Sequence, residues 1–202
     1  MIKNEIAPGI MSYIDVLDDS LALIEQIELA CSNSLLKWEG ASVKNGDKVE
    51  VDYTTRDTLA IGIPYKFIPP RSQEYKDANS NLETIGTLSK QFFNAMDPIE
   101  KDYQSNYGVN LQWHDAYSIL KYGVGQKFTN HIDDHKDYIR RLSAVFYLND
   151  DYEGGEINFP RFNLSHKPKA NELILFPSNY MYNHSVSPVI SGTRYAIVSW
   201  MR

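Results

Sequence analysis

The 202 residues carry 20 Lys and Arg against 26 Asp and Glu, a formal charge of −6, with 43% hydrophobic and 23% charged residues. These are globular values with room for one core and little for two, and the negative charge disfavours a nucleic-acid backbone as main partner. Cys31 is the only cysteine, which rules out an intrachain disulfide, and no apolar run approaches a signal segment or membrane span; the expectation is one cytoplasmic domain over residues 1–202.

Gly9 to Ile14 predicts a leading strand. Asp18, Asp19 and Ser20 offer caps to a helix whose buried face is expected to hold Leu17, Leu21, Ile24, Ile27 and Cys31, spaced three or four apart. Cys31 then packs as a small hydrophobe. Asn45-Gly46-Asp47 marks a hairpin turn between Ser42-Val43 and Val49-Val51, and Ile63-Pro64 and Pro69-Pro70 exclude helix. A second amphipathic helix runs from about Asn79 through Leu82, Ile85, Leu88, Phe92 and Met96. Asp97-Pro98 predicts a break or kink there, before a last turn or two through Ile99 and Tyr103.

From Leu111 the pattern changes to period two. Strands are predicted over 112–121, 126–132, 139–148, 155–159, 172–176, 181–186 and 193–200, with turns at Gly123 to Gly125, Asn149 to Gly155 and Ser191-Gly192. Short strands at this spacing mean a sandwich or barrel. Helices first and strands after fits an α+β, mainly β chain: a double-stranded β-helix, or jelly roll, over 111–202, with 1–110 as helical support and leading strands. Arg140-Arg141, the only basic doublet, reads as one residue on each face of a strand. Gly154-Gly155-Glu156 reads as a tight turn feeding a strand, since no helix follows to make a phosphate loop. Trp113 and Trp200 read as core.

The stretch from Lys121 runs Tyr122-Gly-x-Gly and on to His131-Ile132-Asp133. The single spacer puts both His131 and Asp133 on one face of a strand end. Alone, such a pair is ordinarily a surface hydrogen bond; His184, and Arg194 ten residues on, change its meaning. Two imidazoles and a carboxylate form the 2-His-1-carboxylate face of an octahedral Fe(II) that leaves three positions open. An arginine is suited to hold the far carboxylate of a co-substrate there. Adjacent antiparallel strands would set Arg194 behind the metal. His135 shares the phase of His131 and Asp133 and is the rival ligand, but three ligands from one strand would strain the backbone. His114 and His166 lack partners at ligand spacing and read as surface or satisfied core.

At these residues the chain resembles the 2-oxoglutarate- and Fe(II)-dependent dioxygenases, in particular the prolyl 4-hydroxylase group. The likeness runs from about Tyr117 to Trp200 and includes YSILKYGVGQKFTNHIDD, LSAVFYLND, GGEINF, ELILFPS and HSVSPVISGTRYAIVSW. It implies His131, Asp133 and His184 as iron ligands, Arg194 and Tyr147 on the distal carboxylate of 2-oxoglutarate, and Tyr122 beside the iron and the oxalyl end. Fe(II), 2-oxoglutarate and O2 are the implied cofactors, with ascorbate as an optional reductant. A carboxylate at Asp133, where halogenating relatives have a small residue, implies hydroxylation. Arg194 departs from the collagen-type branch, which places lysine there. Trp200 stands where nucleobase demethylases carry a second arginine, so nucleic acid is not the expected substrate. A peptide or protein substrate, with proline first, is implied; a free amino acid or other small molecule is the alternative, and a non-catalytic metal-binding jelly roll the reading from another class. Oligomeric state stays open.

Overall fold

The computed structural model describes residues 1–33, 36–45, 48–63, 79–111, 115, 117–136 and 139–202. The chain opens with β1 (Ile2–Ala7), β2 (Ile10–Ile14), α1 (Ser20–Ser32), β3 (Glu39–Gly40), β4 (Ser42–Asn45), β5 (Lys48–Val51), β6 (Leu59–Ile63) and α2 (Asn79–Tyr107). The β-rich half follows: β7 (Tyr117–Tyr122), β8 (Phe128–His131), β9 (Leu142–Tyr147), β10 (Glu153–Gly154), β11 (Ile157–Phe159), β12 (Leu164–His166), β13 (Glu172–Pro177), β14 (His184–Val186), β15 (Val189–Ser191) and β16 (Arg194–Met201). Among the described residues no helix is long and apolar enough to cross a membrane. His114, Trp113 and the prolines at 64, 69 and 70 lie outside the described residues.

An eight-stranded antiparallel sheet, in the order β1-β2-β13-β9-β16-β7-β6-β3, faces a four-stranded one, β12-β11-β14-β8. This is the predicted jelly roll, with the leading strands of the N-terminal half built into its large sheet. Period-two alternation sorts the large sheet's side chains into two cores. Leu142, Ala144 and Phe146 of β9, with Tyr195 and Ile197 of β16, pack on the helix side. Val145 and Tyr147, with Ala196 and Val198, pack between the sheets. Arg194 shares the phase of Ala196 and Val198, and Tyr122 that of Leu120, so both belong to the inter-sheet side.

Three local expectations are corrected. On α1 and just before it, Ile27 is buried and Leu17, Ile24 and Cys31 pack against the core as expected, but Leu21 is 54% exposed and Leu23 and Ala30 are buried in addition. Asp19 caps the helix by accepting from the Ala22 amide at 3.0 Å, and Ser20 Oγ donates to the Leu148 carbonyl at 2.8 Å. Second, α2 runs through Pro98 without interruption. Proline costs the helix about 3 kcal/mol. Phe92, Met96, Ile99 and Tyr103, all buried on one face, recover more than that at about 1.5–3 kcal/mol each. Third, the strand expected from 139 starts at Leu142, so Arg140 and Arg141 do not alternate across it. Arg140 instead lies with its guanidinium carbon 3.6 Å from the Trp200 ring centroid and its Nε 3.3 Å from Asp115 Oδ2; Arg141 is exposed. β4 and β5 pair antiparallel, Ser42 opposite Val51, as the predicted hairpin requires, and residues 46 and 47 lie outside the described residues.

Candidate active site

His131 ends β8 and His184 begins β14, and the two are direct cross-strand partners in the small sheet. Asp133 lies two residues beyond β8. One ligand atom from each of the three falls within 4.8 Å of the others, the sole group of metal-binding type found among the described residues. Asp133 Oδ1 is 3.6 Å from His131 Nε2, and Oδ2 is 3.7 Å from His184 Nε2.

The imidazoles are oriented from behind. His131 Nδ1 lies 2.8 Å from the Thr129 carbonyl, and His184 Nδ1 lies 3.1 Å from the Tyr182 carbonyl. A carbonyl oxygen can only accept, so each Nδ1 carries a hydrogen and each Nε2 is turned towards Asp133. Ring stacking adds rigidity: Phe128 lies parallel to His131 at 3.6 Å between centroids, and Phe176 meets His184 edge-on at 4.7 Å. Burial, with His131 beside it, pushes His184 down to about 4, so the imidazole is neutral at neutral pH, as a metal ligand must be. Burial alone would raise the Asp133 carboxyl. The two imidazoles and the Ser143 hydroxyl outweigh it and hold the group ionised, well below the carboxylate range.

Arg194 lines the same pocket as these three residues. It does so from the opposite sheet: β14 belongs to the small sheet and β16 to the large one, so the expectation that His184 and Arg194 sit on adjacent strands is corrected. The guanidinium carbon lies 4.6 Å from the Tyr122 ring centroid and 4.9 Å from that of Tyr147. Arg194 is 1% exposed, and although the Tyr147 and Tyr152 hydroxyls come close enough to act on it, its Nε and Nη1 and both hydroxyls make no hydrogen bond of good geometry. Leaving such donors unpaired costs about 1–3 kcal/mol apiece, more for a charged group. A buried cation with converging phenols and unmet donors fits an anionic ligand with several acceptor oxygens. Two imidazoles and one carboxylate, open on one side, fit a divalent iron.

Several lining residues were not singled out from the sequence. Trp200 packs against the inter-sheet core as expected, but it also borders the pocket, which was not foreseen, and carries Arg140 on its face. Arg56 stacks on Phe128 at 4.8 Å and borders both the inner pocket and the wider cleft outside it, where Val43, Val49 and His135 also lie. Arg56 lies N-terminal to the recognisable motifs, and only its pairing opposite Phe128 brings it here. His135 stands apart from the ligand cluster. His166 is satisfied by Glu172, Nε2 to Oε1 at 2.8 Å.

A jelly roll with two histidines, a carboxylate and a buried arginine around one pocket defines a non-haem iron oxygenase type of site. Residues 117–202 match the family model of the 2OG-Fe(II) oxygenase superfamily, and over this stretch the chain is similar to the prolyl 4-hydroxylases. A PKHD-type hydroxylase of Prochlorococcus marinus is 38% identical over 85 residues, covering 39% of this chain and 38% of that one. The chain spans about two fifths of the length of the PKHD-type hydroxylases it matches. Among solved structures, a Pseudomonas putida prolyl-4-hydroxylase superposes with a TM-score of 0.66 at 23% identity, covering 96% of this chain and 92% of the other. A Trichoplax adhaerens prolyl hydroxylase in complex with a hypoxia-inducible-factor peptide superposes with a TM-score of 0.64 at 17% identity, over 96% and 83%. These structures agree on the fold. Fe(II), 2-oxoglutarate and O2 are the reactants the family uses, and the donor set fits them.

Proposed function

We propose that the chain is a 2-oxoglutarate- and O2-dependent hydroxylase acting on a peptidyl residue, with proline the leading substrate, releasing succinate and CO2. The observation that carries this reading is that His131, Asp133 and His184 share one pocket with the unpartnered donors of buried Arg194. In this reading the three first-named residues hold Fe(II). Arg194 with the Tyr147 hydroxyl holds the 5-carboxylate of 2-oxoglutarate; burial pushes the Tyr147 phenol up, so it stays protonated and can donate. Tyr122 fixes the guanidinium plane from the other side. Iron with 2-oxoglutarate supplies the oxidising power to hydroxylate an unactivated C–H bond. The apolar wall of Val145, Ile157, Val186 and Val198 keeps bulk water from the inner pocket.

A peptide substrate is supported by the outer cleft, which joins the inner pocket at Arg56, Phe128 and Trp200 and is lined by Val43 and Val49 of the β4–β5 hairpin. The Trichoplax relative of this fold is held with a peptide. Residues 1–202 are read as one domain, with 1–110 supporting a catalytic part over 111–202, and the lone cysteine supports a cytoplasmic setting.

The test is anaerobic loading with Fe(II) and 2-oxoglutarate, then O2, following succinate with and without proline-containing peptides. Peptide-stimulated succinate with a product gaining one oxygen atom supports the proposal. Succinate made without regard to peptide moves the substrate to a free amino acid or other small molecule. No succinate from metal-loaded protein leaves a metal-binding jelly roll without turnover.

A further inference from the structure

Asp133 is the one ligand that does not sit on a strand, and its carboxylate is fixed by two buried serines. Ser143, on β9, is 1% exposed and its Oγ lies 2.7 Å from Asp133 Oδ2. Ser143 Oγ is also 2.7 Å from Ser178 Oγ, just past β13 and again 1% exposed. The direction of this chain follows from what each atom can do. An ionised carboxylate only accepts, so the single Ser143 proton goes to Asp133, and Ser178 must be the donor to Ser143. Ser178 is itself held at both backbone groups: its N–H donates to the Arg141 carbonyl at 3.1 Å, and its carbonyl accepts from the Asp134 amide at 3.0 Å.

The relay therefore runs from the rigid large sheet to a ligand on a loop. Ser143 shares the inter-sheet phase of Val145 and Tyr147, and its backbone is paired on both sides, opposite Phe176 of β13 and Trp200 of β16. It crosses the space between the sheets that separates β9 from the loop bearing Asp133. Without it Asp133 Oδ2 would lose its hydroxyl partner, and the carboxylate would be oriented by the two imidazoles alone.

We propose that Ser143 is a positioning residue for the metal-binding carboxylate and that Ser178 acts through it. Ser143 commits Asp133 Oδ2 and presents Oδ1 towards His131 Nε2, so that the donor set is arranged before the ion arrives. This rests on the reading of His131, Asp133 and His184 as a metal site. Partners that orient a ligand in this way change metal affinity about 10- to 100-fold when removed.

The experiment titrates apo protein anaerobically with Co(II), reading the visible spectrum and affinity alongside the thermal midpoint of the metal-free protein. Ser143→Ala is expected to weaken Co(II) binding about 10- to 100-fold and to shift the ligand-field bands; the metal-free midpoint should fall as well, because Asp133 and Ser178 each lose a buried partner, so the spectral shift is the readout that separates positioning from stability. Ser178→Ala should act in the same direction and less strongly, and the double variant should be no weaker than Ser143→Ala alone, because Ser178 has no other route to the carboxylate. Unaltered affinity and spectrum in Ser143→Ala overturn the proposal. Should Ser143→Ala fail to fold, Ser178→Ala decides in the same way. A wild-type protein that takes up no Co(II) overturns the metal-site reading, and the inference with it, and is told apart because it fails before any substitution.

Discussion

Arg194 and Tyr122 are direct cross-strand partners on β16 and β7, and the guanidinium lies over the phenol ring with 4.6 Å between its carbon and the ring centroid. Tyr147, on the strand at the other side of β16, approaches to 4.9 Å. The planar cation is thus set by aromatic faces and needs no salt bridge to hold its direction. That leaves its N–H groups for a ligand.

Arg194→Ala and Arg194→Lys are both expected to raise the 2-oxoglutarate concentration for half-maximal succinate formation. A charge-assisted contact of about 1.5–3 kcal/mol corresponds to roughly 10- to 100-fold. Lysine should recover only part of the loss, since it lacks the planar fork that stacks on Tyr122. Co(II) affinity of the two variants should match wild type. An unchanged 2-oxoglutarate requirement would remove Arg194 from the co-substrate site.

The choice among histidines has its own test. His131→Ala and Asp133→Ala should abolish turnover and measurable Fe(II) uptake, whereas His135→Ala should keep both metal and spectrum. His135 borders the outer cleft, so a changed dependence on peptide concentration is compatible with the assignment. Loss of metal in His135→Ala would mean that the ligand set is wrongly chosen.

Gly155 offers a way to move Arg194 without touching it. Its backbone has φ +66°, and a Cβ there would lie 2.9 Å from Tyr152 Cε2 and 3.0 Å from Arg194 Cδ. Gly155→Ala should lower stability by about 1–3 kcal/mol from the left-handed backbone and also raise the 2-oxoglutarate requirement by displacing the arginine shaft. Thermal denaturation with a 2-oxoglutarate titration separates the two effects. Lower stability with normal co-substrate dependence would show that the arginine is not displaced.

The β half was legible because short runs of β-formers stand between turn signals; along Leu142–Tyr147, buried on both faces, period two then sorts the side chains between the two cores. The candidate ligand set was legible because His131 and Asp133 stand one residue apart and His184 and Arg194 follow in order. What escaped depends on contacts between distant segments. Pro98 stays helical because Ile99 and Tyr103 are buried against a core that no local pattern shows. Ser143 is one serine on an apolar strand until the fold carries Asp133 to 2.7 Å from it. The placement of Arg194 opposite His184, and not beside it, is a matter of which strands pair, and a jelly roll separates sequence neighbours into different sheets.

A last expectation concerns acid stability away from the iron site. Glu172, 1% exposed at the start of β13, accepts from Ser12 Oγ at 2.5 Å, from His166 Nε2 at 2.8 Å and from the Lys169 amide at 2.8 Å. Burial opposes its charge, but these donors outweigh it and hold the carboxyl below its ordinary value of 4.5. A carboxyl whose pKa is lower folded than unfolded stabilises the fold fully above the unfolded value, and the contribution is lost as pH falls from there through the folded one. Glu172→Gln should therefore cost about 1–3 kcal/mol near neutral pH, and the gap to wild type should narrow below pH 4.5 as the wild-type carboxylate is protonated. Urea denaturation of both proteins, metal-free, from neutral pH downward measures that gap. A gap that stays constant into the acid range would mean that Glu172 is held by shape alone and that its charge contributes nothing to the joint between β2 and β13.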